Sequence, residues 1–119
     1  MGPIPPGFNL DALVGRQLNQ VCMGPYDLQF RFDSANTISC QGRVVVDYEE
    51  RSVLVFQGED PWWIDVTVLP RLAGRDAISW KIEASHEFSV TLTGGLKLRF
   101  QSTDCPYEEF VINPDIWVV

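Results

Sequence analysis

Leu28, Phe30 and Phe32 alternate with Gln29 and Arg31, and this period of two predicts a half-buried strand over Tyr26 to Asp33. The same alternation returns at Phe88, Val90 and Leu92 within His86 to Thr93, and at Leu96, Leu98 and Phe100 beyond Gly94-Gly95. A two-residue glycine loop between two such runs predicts a type I′ hairpin. Shorter apolar stretches predict strands over Leu18 to Met23, Ser52 to Gln57, Trp62 to Val68 and Asp76 to Glu83. Thr37 to Val46 reads as one strand with Ile38 and Cys40 inward and Gly42 at a bulge. Glu109 to Ile112 and Ile116 to Val119, separated by Asn113-Pro114, read as closing strands.

Two interruptions of the strand pattern share one phrase. Leu10 to Arg16 reads LDALVGR and Leu69 to Arg75 reads LPRLAGR. Each predicts a short helix, the first capped by Asn9 and the second opened by Pro70, and each ends at a glycine, Gly15 or Gly74, suited to a left-handed conformation. Arg16 and Arg75 follow directly, placed to tie down carbonyls or a carboxylate at the helix-to-strand junction. The reading is a mostly β (α+β) fold: a single domain over 1–119, a curled antiparallel sheet or partial barrel with two short helices. An internal pseudo-repeat would relate residues 8–57 to 67–112.

Composition narrows the classes. The 119 residues are 45% hydrophobic and 21% charged, which suits one folded domain and not a disordered tail. No apolar run reaches the roughly 18 residues that span a bilayer, and the leader has neither a basic nor an apolar signal region, so the expectation is a cytoplasmic protein off the membrane. Cys22, Cys40 and Cys105 are three scattered cysteines, read as reduced thiols with Cys22 and Cys40 in the core. One histidine and no close cysteine spacing leave no metal site, and no cofactor is expected. The net charge of −7 disfavours nucleic acid and favours a cationic protein partner.

The residues that could carry chemistry are few. His86 is the only histidine and starts a hairpin strand; Cys105 precedes a proline in a polar turn and has no activating cation in sequence. No catalytic role is assigned to either, and the protein is read as a non-enzyme. Glu49-Glu50 and the Glu59-Asp60 pair before Trp62-Trp63 are candidate interface residues, because exposed tryptophan beside acid suits a protein contact. Neighbours on a strand point oppositely, so one tryptophan is expected in the core and one partly exposed. A homodimer formed through a strand edge is an alternative. A ligand-binding barrel, with a pocket lined by Trp62, Trp63, Trp80 and Phe88, is another.

The stretch VGRQLNQVCMGPYDLQFRFDSANTISCQGRV, the later LKLRFQSTDCPYEEFVI and the terminal WVV resemble a bacterial family of small uncharacterised mostly-β domains of the kind encoded near polymorphic toxins. The phrase Tyr-Glu-x-Phe-x-Ile falls on Tyr107, Glu108, Phe110 and Ile112. The resemblance implies, by analogy, an immunity protein that neutralises a cognate toxin, and it carries no catalytic residue. Tyr107 and Glu108 also read as structural, with Glu108 placed to pair with Arg16 or Arg75.

Overall fold

The computed structural model describes residues 3–103, 108–114 and 117–119. The alternating runs form strands: β1 (Gln20–Met23), β2 (Leu28–Arg31), β3 (Thr37–Cys40), β4 (Arg43–Tyr48), β5 (Arg51–Phe56), β6 (Ala77–Ala84), β7 (Glu87–Leu92), β8 (Leu96–Gln101), β9 (Phe110–Asn113) and β10 (Trp117–Val118). They make two five-stranded antiparallel sheets, ordered β1-β2-β3-β9-β10 and β5-β4-β8-β7-β6. Phenylalanine rings from both sheets interlock between them. Phe30 meets Phe100 edge-on with centroids 5.7 Å apart, Phe110 meets Phe88 and Phe100 the same way, and Phe88 stacks on Phe100 at 4.7 Å. The sheets are open at their edges, so the molecule is two packed sheets and not a closed barrel.

The strand order exchanges the two halves of the chain. The first half gives β1, β2 and β3 to one sheet and β4 and β5 to the other; the second half gives β6, β7 and β8 to one and β9 and β10 to its opposite. The repeated phrases meet where this pattern pivots. Gly15 N–H donates to Ala77 O at 2.7 Å and Gly74 N–H to Leu18 O at 2.7 Å; Leu18 N–H donates to Arg75 O and Ala77 N–H to Arg16 O. Gln17 and Asp76 bridge at the centre of this reciprocal set. The junction has the form of a pseudo-twofold axis. Around it, the pairs Leu28↔Cys40 and Phe30↔Ile38 stand where Phe88↔Phe100 and Val90↔Leu98 stand in the other half.

Several expectations are corrected. The two helices are single 3-10 turns, Asp11–Leu13 and Leu69–Arg71. Gly15 and Gly74, at φ +88° and +89°, turn the chain into the reciprocal junction before a second turn can form, and three residues do not offset the cost of helix nucleation. Asn9 does act at the first turn: its Oδ1 accepts from Asp11 N–H at 2.7 Å. Thr37 to Val46 is two strands in different sheets, and Gly42 marks the crossing between them. The Gly94-Gly95 loop has three residues, since Leu92 pairs with Leu96 and leaves Thr93 outside the ladder. Trp62 to Val68 is not a strand. Apart from one bridge between Trp63 and Phe56 it is turned by Asp65, whose Oδ1 accepts from both Thr67 N–H and Oγ1.

Candidate functional site

A polar concavity forms where β5 leaves its sheet. Gln57 holds the following loop, its side-chain amide donating to Pro61 O at 2.7 Å and to Glu59 O at 3.3 Å, while its N–H donates to Trp62 O. Gly58 is needed there: its φ is +78°, and a Cβ on it would lie 2.5 Å from Gln41 O. The loop tip, with a cis Asp60-Pro61 peptide, presents Glu59 and Asp60 to solvent. Behind it Trp62 packs against Phe56 at 5.8 Å and edge-on against Tyr26 at 5.5 Å. Trp63 also meets Phe56, edge-on at 4.7 Å, and donates its Nε1–H to Gly24 O at 2.8 Å. Both indoles are therefore half-buried around one phenylalanine. The expected split into a core and an exposed tryptophan does not occur, because the segment is no strand and its side chains need not alternate.

Opposite this loop, the crossing at Gln41 and Gly42 brings in β9. A Cβ on Gly42 would lie 2.6 Å from Phe110 Cζ, so the chain passes directly over that ring. Glu109 is buried, its carboxylate accepting from Thr103 N–H at 2.8 Å and from the hydroxyls of Ser102 and Thr103 at 3.1 Å. Glu108 remains exposed. Between the two walls lies a depression of about 680 Å³, bordered by Glu59, Asp60, Trp62, Arg43, Gln57 and Glu108 among others. Its lining carries three exposed carboxylates, one guanidinium, side-chain amides and a half-buried indole. Such a lining can hold a cationic side chain by charge and by the indole face.

The remaining sequence-derived residues fall elsewhere. Glu49 and Glu50 form the β4–β5 hairpin turn with φ of +49° and +62°. They lie at the opposite end of β4 from Arg43, roughly 17 Å along the strand. Arg16 and Arg75 occupy matching places at the pseudo-twofold junction. Arg16 Nε–H donates to Ala12 O at 2.6 Å and Arg75 Nε–H to Arg71 O at 2.5 Å; Arg16 also pairs with Asp33, and Arg75 with Thr93 O. The expected lock with Glu108 is therefore absent: both guanidinium groups close their own turns, whereas Glu108 borders the depression. Tyr107 and Cys105 lie outside the described residues.

Cys40 is fully buried and burial pushes its thiol up; Cys22 is half-buried and pairs with Gln29 on β2, so the two thiols do not face each other. His86 is half-buried, and its Nδ1 has no hydrogen-bond partner among the described residues. Trp80 and Phe88 belong with Phe8 and Trp117 in an aromatic cluster separate from that of Trp62 and Trp63. Among the described residues no helix is long and apolar enough to cross a membrane.

Gln57, Arg43 and Tyr26 were not legible as site residues. The one signal was Gly42 between two apolar runs, which fits a crossing as well as a bulge. By fold and site, the chain is a two-sheet antiparallel β protein with an acidic, tryptophan-bearing depression at one end. No family model matches it, and no curated protein or solved structure does either.

Proposed function

We propose that the protein is a non-enzymatic cytoplasmic binding domain that engages a cationic protein through this depression, with occlusion of a cognate toxin as the role. The observation that carries the reading is that Glu59, Asp60, Glu108 and Trp62 border one depression, whose lining among the described residues has Arg43 as its one cation. Some other surface charges are spent on one another: Arg99 Nε lies 3.0 Å from Asp47 Oδ2 and its Nη1 3.5 Å from Glu87, while Glu83 pairs with Lys97. Among the described residues no ion pair engages Glu59, Asp60 or Glu108. With a net charge of −7, long-range attraction would speed encounter with a basic surface, and the Trp62 indole would supply an anchor.

The test is co-expression and co-purification with the product of the adjacent reading frame, comparing the wild type with Glu59→Lys, Asp60→Lys and Glu108→Lys combined. The expected result is growth rescue and a stoichiometric complex, weakened about tenfold or more by the charge reversals and by added salt. A harmless neighbour, no complex, or a complex indifferent to the reversals overturns the reading.

Self-association is a second reading. It is favoured by β6, an eight-residue edge strand on which Ile78 and Ile82 are 53% and 45% exposed. Sedimentation of the free protein separates the two, a concentration-dependent dimer favouring the second.

A further inference from the structure

The pseudo-twofold junction relates positions of the first half to positions of the second, so equivalent places around it can hold different side chains. Trp80 on β6 stands opposite Val90, and Val21 on β1 stands opposite Phe30 at the equivalent place. The Trp80 indole lies across the first 3-10 turn: Nε1–H donates to Asp11 Oδ1 at 2.6 Å, and the ring meets Phe8 edge-on at 5.9 Å. In the other half the counterpart of Asp11 is Pro70 and the counterpart of Val14 is Ala73. The isopropyl group of Val21 is much smaller than an indole and does not fill the equivalent space. What remains is a mostly apolar groove of about 440 Å³, bordered by Val21, Met23, Val66, Leu69, Pro70 and Ala73, with Asn19 and Gln20 as its polar members.

We infer that this groove accepts an aromatic side chain, indole in size, presented by a partner polypeptide. Four observations fix that occupant. The equivalent space in the same chain is filled by an indole. The walls are mostly apolar and, among the described residues, carry no charged group, and Pro70 replaces the carboxylate that binds Nε1–H in the filled half, so the guest ring is held by packing and not by a charge. Met23 and Val66 stand on the rim 54% and 37% exposed, apolar surface left in water until something covers it. Finally, the groove is open along one side next to β1, the edge strand of its sheet. A free small molecule would be poorly enclosed there, whereas a side chain brought by a protein surface has its exposed side covered by that surface. The extended edge of β1 leaves room for the partner segment alongside.

The inference stands on the pseudo-twofold comparison and not on the acidic depression, so either can fail alone. The experiment is methyl-resolved NMR of the full chain titrated with N-acetyl-tryptophanamide, with N-acetyl-leucinamide as the non-aromatic control. The tryptophan probe is expected to give saturable upfield shifts at the Met23 and Val66 methyl groups, with the leucine probe at least about tenfold weaker. Val21→Trp supplies the missing ring from within and is expected to abolish the shifts. Ala73→Leu, made at an exposed position, narrows the same groove and covers the case in which the first variant does not fold. Absence of saturable shifts, equal response to the two probes, or a wild-type response in a folded groove-filling variant overturns the inference.

Discussion

Arg16 and Arg75 show how a residue that reads as functional can be structural. Each guanidinium folds back on the carbonyl four residues before it and then reaches one further acceptor, Asp33 or Thr93 O. Asp33 in turn organises its own tight turn: Asn36 supplies a side-chain and a backbone donor and Ala35 N–H a third, and Arg16 adds its charge. These donors, those of Asn36 foremost, hold the carboxyl at about 2 against its ordinary 3.8. A folded-state value below the unfolded one contributes stability that is complete above about pH 4 and is lost as the pH falls through about 2. Asp33→Ala is therefore expected to destabilise the protein at neutral pH, with the difference from wild type shrinking across that acid window. Urea midpoints measured between pH 7 and pH 2 check this; a difference that does not change with pH contradicts it.

At the level of elements, alternation was legible wherever a strand keeps one face on the core for its whole length. Leu28, Phe30 and Phe32 are all buried, as are Phe88, Val90 and Leu92. The break between β3 and β4 was hidden because Ile38, Cys40, Val44 and Val46 are all buried at even spacing across it, even as the chain changes sheets. The candidate site was legible in part for the same reason. Glu59, Asp60 and Trp62 are neighbours in sequence, whereas Glu108 and Arg43 reach them only through that crossing. The tertiary fit that closes it predicts large effects from small changes. Gly58→Ala combines a positive φ with overlap on Gln41 O and should cost more than about 1 kcal/mol. Gly42→Ala drives a methyl into the Phe110 ring, and overpacking of this kind costs about 1–3 kcal/mol. Denaturant midpoints give both values, and shifts in the Trp62 amide resonance report whether the depression widens.

For the whole molecule, the exchange of strand pairs makes neither half self-sufficient. β3 pairs with β9 and β4 with β8, so each half leaves an unpaired strand edge and half a core if its partner is removed. The aromatic core also crosses the boundary, with Phe30 from the first half on Phe100 from the second. Equivalent positions carry complementary bulk, Leu28 and Cys40 against Phe88 and Phe100, and Phe30 against Val90. Two copies of one half would thus oppose small on small and large on large, leaving voids at some positions and overlap at others. Cutting the chain in the exposed Glu59 to Pro61 loop should therefore give two fragments that are each unfolded alone but restore the native β signature when mixed in equal amounts. Circular dichroism and amide NMR of the separate and mixed fragments make the test. A fragment that folds by itself, or that pairs with itself as well as with its complement, would show that the halves are independent units, and the interlocked account of the fold would be wrong.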